Sequence, residues 1–330
     1  MKTIQLLRLQ ACAVTVLGIA VAGVSAYAQD AAYPMQTVTL IASAAPGGTT
    51  DIAARMIADP LSKALGKPVV VDNRPGGSGT IAASAVKRAR PDGHTLLVQY
   101  SGFQVITPHL LKGSLDPIKD FAPVANLIVA PQVIVVRPDL PINTLPELIS
   151  YAKAHPGKLN YASSGNGSLQ HVTGEMIKQL TGVDITHVPY KGTGPAITDL
   201  LSGNVDMTFT TAPPLLSHIK AGKLRAIAVT GNVVLPSLPQ VPPTSTIKGF
   251  EKLDVNSWFA VYAPAGTPKP VIDRLAAEIS KIMQTADFKN KAQAQGSYAV
   301  YMNPKELAGY TSKELQSWGK FVKQANITGE

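Results

Sequence analysis

The chain has 330 residues, 45% of them hydrophobic and 15% charged, enough for a sizeable core and for a division into about two domains. Lys and Arg number 30 against 21 Asp and Glu, so the net charge is +9, a balance that favours anions and solubility alike. The densest basic patch is only KRAR at 87–90, and the chain shows neither an aromatic RNA-binding signature nor a DNA-recognition helix, which argues against nucleic acid.

In chain order, residues 1–28 come first. MKTIQLLR supplies Lys2 and Arg8, an apolar run follows, and AYA offers small residues before a cut after Ala28. This is the pattern of a cleavable export signal, too short to be a stable membrane span. Cys12, the single cysteine, precedes the apolar run instead of following it, which argues against a lipid anchor. It leaves with the signal, so the mature chain has no disulfide and no thiolate metal site.

TVTLIAS (37–43) predicts a strand, and TTDIAARMIADPLSKALG a helix with Ile52, Met56, Ile57, Leu61 and Leu65 on one face and Gly66 as its stop. Pro60 should kink or divide that helix. PVVVDN, a helix over 80–89 and TLLVQY (95–100) complete a β-α-β-α-β series, the signature of a parallel sheet covered by helices. FAPVANLIVAPQVIVVRP is a long extended run, broken by Pro131 and ended by Pro138. A second series follows: a helix capped by Thr144, then KLNYAS, LQHVTGEMIKQLTG, DITHVPY, AITDLLSGN, VDMTFTT, a short helix and LRAIAVTG. NSWFAVYAPAGTP (256–268) is extended again, and the remainder reads as helical. The two extended runs bracket a second α/β lobe. The expected division is a signal at 1–28, a first lobe at 29–136 plus 253–330, and a second at 137–252.

Chemistry concentrates in loops after the apolar runs. PGGTTD joins a glycine pair to a helix start whose first N–H groups have no intrahelical partner, with Thr49 or Thr50 as cap. NRPGGSGT repeats the theme, with Thr80 or Ser78 as cap. It is a near miss for G-x-S-x-G, because Thr80 stands where glycine is needed. SSGNGSLQH lacks the third glycine of a dinucleotide fingerprint, and no phosphate-binding G-x-x-x-x-G-K-[ST] occurs. His171 and Glu175 share a helix face but have no third metal ligand in view. KGTGP and TFTTAPP close the set. Any one of these loops reads equally as a capped helix with no ligand. Together they suit an oxyanion held by N–H and O–H groups, and they lack an evident base, nucleophile or metal set.

APGGTTDIAARMIADPLSKALGKPVVVDNRPGGSGTIAASAVKRARPDGHTLLV, LNYASSGNGSLQHVTGEMIKQLTGVDITHVPYKGTGPAITDLLSGNVDM and FAVYAPAGTPKPVIDRLAAEI resemble the extracytoplasmic solute receptors of the tripartite tricarboxylate transporter family, the Bug receptors. The resemblance implies an α/β, two-lobed periplasmic-binding-protein (Venus flytrap) fold with two hinge strands. It implies a monomer in the periplasm, with no enzymatic activity and no cofactor or metal. Its ligand is a small carboxylate, a di- or tricarboxylate or an aromatic acid, delivered to a permease of one large and one small subunit. Carried over, the ligand residues are Gly47, Gly48, Thr49, Thr50 and Asp51 on one jaw. On the other they are Ser163, Ser164, Gly167, Ser168 and His171, with Lys191, Gly192, Thr193, Gly194, Pro195, Thr210, Thr211 and Ala212 nearby. Ser101 is a further candidate.

Two places depart from the family pattern: Pro60, and YSGFQVITPHLLKG, where relatives more often carry Asn-Pro followed by tyrosine. Phe103 and Tyr100 would give the cleft a flat apolar wall that favours an aromatic acid, unless the rings only pack the core. A sensory adaptor on the same cleft, or an exported hydrolase using Ser78 or Ser164, are the competing readings.

Overall fold

The computed structural model describes residues 33–111, 113 and 115–328; the export signal assigned to 1–28 lies outside the described residues. β1 (Val38–Ala42) pairs in parallel with β2 (Val69–Asn73) and with β3 (Thr95–Tyr100), and the crossovers are α1 (Thr49–Leu65) and α2 (Thr80–Lys87). β1 is apolar and almost wholly buried, as a central parallel strand covered on both faces must be.

Two expectations change here. Pro60 does not divide α1, which runs unbroken to Gly66. Ile57 and Leu61, both fully buried, anchor the turn on each side of it. Met56, whose carbonyl loses the proline's N–H, is only half-buried. The cap is Gly48 in extended conformation, not Thr49 or Thr50, so both threonines sit in the first turn with their hydroxyls spared from capping. Likewise Gly79, rather than Thr80 or Ser78, precedes α2.

After the short helices α3 (Ser101–Val105) and α4 (Thr107–Leu110), β4 (Phe121–Val136) crosses the molecule. Pro131 does not break this strand; it marks where its partners change. Residues 121–131 pair antiparallel with β9 (Asn256–Pro264), whereas 132–136 pair antiparallel with β7 (Met207–Thr211) and β8 (Arg225–Val229). Beyond that switch, β5 (Asn160–Ser163) lies parallel to β7 and to β6 (Thr186–Pro189). The joining helices are α5 (Leu145–Ala154), α6 (Leu169–Thr181), α7 (Thr193–Leu201) and α8 (Leu216–Lys220). Thr144 caps α5 as predicted, accepting from the Glu147 N–H.

The chain returns through β9, which also pairs antiparallel with β3. α9 (Lys269–Gln284), α10 (Ala286–Ala294) and α11 (Pro304–Gln324) follow, and between the last two lies a strand that the helical reading missed. This β10 (Tyr298–Met302) adds to β4, with Tyr298 opposite Val129. The strand order β2-β1-β3-β9-β4-β7-β5-β6 runs through two α/β lobes, with β4 crossing between them and the chain returning just before β9. The carboxyl ends of β1, β3, β5 and β7 meet at the seam, where ligands bind in open α/β sheets.

Candidate functional site

On the first jaw the chain leaves β1 at Ser43 and enters α1 through the glycine pair. Asp51 organises this loop from below. Its carboxylate accepts from the Gly47 N–H at 2.9 Å and from Asn73 Nδ2 at 3.0 Å, and pairs with Arg55 Nε at 2.9 Å. Asn73 also donates to the Ala44 carbonyl at 2.9 Å, which ties β2 to the loop. The turn is therefore held by a side chain that points away from the seam, and Thr49 and Thr50 present their hydroxyls to it. Among the described residues no hydrogen bond engages the Thr50 hydroxyl, and the buried Ser43 Oγ has no partner. An unpaired buried hydroxyl costs free energy unless something completes it, which marks this corner as a polar-ligand site.

The second jaw is wired differently. Ser168 caps α6, its Oγ accepting from the His171 N–H at 3.3 Å. His171 Nδ1 in turn accepts from the Gly167 N–H at 3.3 Å. Its ring stacks on that of His187, with centroids 4.0 Å apart and planes within 3°. His187 Nε2 shares a 2.6 Å hydrogen bond with Ser163 Oγ. Burial holds both imidazoles below their ordinary pKa; His187 falls to about 3, with the His171 and Lys178 charges adding to burial. Glu175 opposes the shift at His171. This neutral pair stiffens the loop from behind.

The jaws touch across the seam. Thr49 Oγ1 and Thr211 Oγ1 are 2.6 Å apart, and Ser78 Oγ donates to the Asn166 carbonyl at 2.8 Å. Tyr100 lies at the centre, its hydroxyl accepting from the Leu169 N–H at 2.6 Å and donating to Gln170 Oε1 at 3.1 Å. Burial raises its pKa, so it stays a neutral hydroxyl although the Leu169 N–H and Ser257 oppose that shift. Gln170 also accepts from Ser164 Oγ at 3.0 Å and donates to Thr210 Oγ1 at 3.1 Å. Gly102 makes this approach possible, since a Cβ there would fall 2.7 Å from the Tyr100 ring and 2.9 Å from Leu169 N.

Between the jaws lies a narrow cavity of about 30 Å³, room for about two waters as the lobes stand. Its polar wall comes from Ser43, Thr49, Thr50, Ser164, Thr210 and Thr211, with Gln170, Thr193 and Ser257 beside them. Ala44 and Gly192 contribute backbone, and Tyr100, Phe103 and Phe259 supply rings. Hydroxyls, amides and the starts of α1 and α7 converge there, an environment that favours an anion.

The sequence pattern of the "Tripartite tricarboxylate transporter family receptor" matches residues 53–327. The chain belongs to this receptor family. Protein BugT of Bordetella pertussis is 35% identical over 308 residues, covering 93% of this chain and 94% of its own. Among solved structures, one of an R. palustris protein with adipate is 34% identical with a TM-score of 0.87, covering 90% of this chain and 99% of its own. MatC of Rhodopseudomonas palustris with bound malate is 33% identical with a TM-score of 0.82, covering 88% and 100%. The fold is thus that of the periplasmic binding proteins.

In the receptor, the residues picked out by the sequence divide into three groups: those that line the cavity, those that shape its loops, and five that do neither. Thr49, Thr50, Phe103, Ser164, Gly192, Thr193, Thr210 and Thr211 line the cavity. Gly47, Gly48 and Asp51 shape the first loop beneath it, as Ser163, Gly167, Ser168 and His171 shape the second. Ser101 Oγ accepts from the Trp258 N–H at 3.2 Å, fastening α3 to β9. Ala212 is buried beneath the strand end, its carbonyl accepting from the Leu215 and Leu216 N–H groups. Lys191 and Pro195 are exposed, and Gly194 sits in the first turn of α7.

Ser43, Ala44, Gln170, Ser257 and Phe259 also line the cavity, although no motif in the sequence marks them. Gln170 follows a flagged helix start by one residue. Ser257 and Phe259 are two apart on a strand, hence on one face, and that alternation was the available signal. The serines proposed for a hydrolase do not meet an imidazole: Ser78 bonds the Asn166 carbonyl and Ser164 bonds Gln170.

Proposed function

We propose that this receptor captures a small carboxylate in the cleft between its two lobes, in the periplasm, and delivers it to a two-subunit membrane permease. The observation that carries the reading is the cavity's polar wall: hydroxyls, amide groups and helix starts from both jaws, with no imidazole among its described lining residues, the Ser163–His187 contact lying outside that lining. The adipate and malate seen in the two R. palustris relatives, and the receptor family's place in a tricarboxylate transporter, support it. Hydrogen bonds to a charged group contribute about 1.5–3 kcal/mol each. Three or four of them cover much of the roughly 8 kcal/mol of a micromolar complex.

We place the lobe boundaries where the strand partners change, at Pro131/Gln132 on β4 and Val255/Asn256 where β9 begins. At this crossing Gln132 Nε2 donates to Ser257 Oγ at 2.6 Å, and the Gln132 N–H donates to Thr230 Oγ1 at 2.9 Å. Closure about this point brings α6 and α7 onto the ligand, and the closed shape is what a permease reads.

A thermal-shift screen with adipate, malate, citrate and benzoate tests the reading, because a ligand that binds only the folded state raises the melting temperature. At least one acid should raise it while its uncharged amide does not. Equal shifts with acid and amide, or none with any acid, would contradict it.

A further inference from the structure

Resting on the carboxylate reading above, we infer that the cleft prefers a single carboxylate carried on a flat aromatic ring over an aliphatic di- or tricarboxylate.

The first observation is the apolar wall. Tyr100, Phe103 and Phe259 all line the cavity from elements of the first lobe. Tyr100 stacks on Phe259 with centroids 5.7 Å apart, and Phe103 meets the Tyr100 ring edge-on at 5.0 Å. Such a corner offers both a ring face and a ring edge, the two arrangements in which aromatic groups attract one another. A chain of methylenes gains apolar contact there but not the matching of face and edge.

The second observation is how firmly the rings are placed. A Cβ on Gly79 would fall 2.5 Å from the Phe103 ring, and Gly79 has a φ of +82°, which side chains rarely adopt. Tyr100 is fixed at its hydroxyl by the Leu169 N–H and backed by Gly102. Gly79 and Gly102 let the backbone pack directly on these rings, which holds them in place, and a rigid ligand loses little freedom against a wall that is already ordered.

The third observation is charge. None of the described residues lining the cavity is Lys, Arg or His. Asp51, which follows the lining residue Thr50, is buried under the first loop and paired with Arg55. Neutral donors and helix starts suit one negative charge. A second or third charge on the same ligand enters a site with no cation to meet it and pays its desolvation unrelieved.

Calorimetric titration of the purified protein with benzoate, benzamide, adipate and citrate tests the inference. Benzoate should bind at least tenfold more tightly than adipate or citrate. Phe103→Leu should weaken benzoate at least fivefold more than it weakens adipate. The preference among acids in the wild type stands as a measurement even if the variant fails to fold. Adipate or citrate binding as tightly as benzoate overturns the ring preference and leaves the carboxylate reading intact, as does a folded Phe103→Leu variant with unchanged benzoate affinity. Benzamide binding as well as benzoate, or no acid binding at all, overturns both.

Discussion

The two jaws look alike in sequence, each a strand end followed by glycines, hydroxyl residues and a helix, yet they spend their hydroxyls in opposite ways. In the first jaw a carboxylate, Asp51, takes over the structural work, and Ser43 and Thr50 are left with hydroxyls that nothing in the loop engages. In the second jaw the hydroxyls do that work themselves. Ser168 caps α6, Ser163 bonds His187 and Ser164 bonds Gln170. The lesson is that a count of hydroxyls does not measure binding capacity; what matters is whether another group holds the loop. In the binding mode proposed above, the first jaw is the grip and the second a shaped surface that closes on it through Gln170 and Thr210.

Substitutions can break or sharpen this contrast. The largest effect is expected for Asp51→Ala, which leaves the Gly47 N–H and Asn73 amide without their acceptor and Arg55 without its partner. Loss of roughly 3 kcal/mol of stability in chemical denaturation should accompany a large drop in affinity. Stability within a few tenths of wild type would show that the first loop holds itself.

Thr50→Val is next. It keeps the shape of the side chain and removes the donor, so affinity for the best acid of the panel should fall about tenfold with the melting temperature little changed. Ser168→Ala should show the reverse pattern: about 1 kcal/mol less stability from the lost cap, and affinity within roughly threefold of wild type.

The smallest expected effect comes from the histidine pair. Their pKa values in the folded protein lie below the ordinary 6.5, so the native state binds fewer protons than the unfolded chain in acid. Their contribution is complete above pH 6.5 and is lost as the pH falls toward the value of about 3 for His187. Melting temperatures measured across that window should decline less steeply in His187→Phe, which keeps the stack and removes the titration. An unchanged slope would remove the pair from the account.

Much of this was legible in the sequence because it is local. Strand and helix periodicity placed the two lobes, and glycine pairs before helix starts placed the loops that form the seam. The crossing strand β4 announced itself as an apolar run longer than ordinary strands. What escaped depends on who meets whom. Asp51 and Thr50 are neighbours in a helix start, and only the position of Asn73 on β2 shows that one builds while the other faces the cavity. Ser163 and His171 carry the right chemistry, but His187, contributed by a different strand, turns both inward. β10 was hidden because its alternating residues are all half-buried and its partner lies far away in sequence. Ser257 and Phe259 reach the cavity only because β9 passes beside it.

The most direct test of the central claim is a paired calorimetric titration of wild type, Thr50→Val and Ser168→Ala with adipate, malate and benzoate. A first jaw that grips and a second that shapes predict an affinity loss of about tenfold in Thr50→Val and at most about threefold in Ser168→Ala. Wild-type affinity in Thr50→Val, or a greater loss in a folded Ser168→Ala variant, would contradict it.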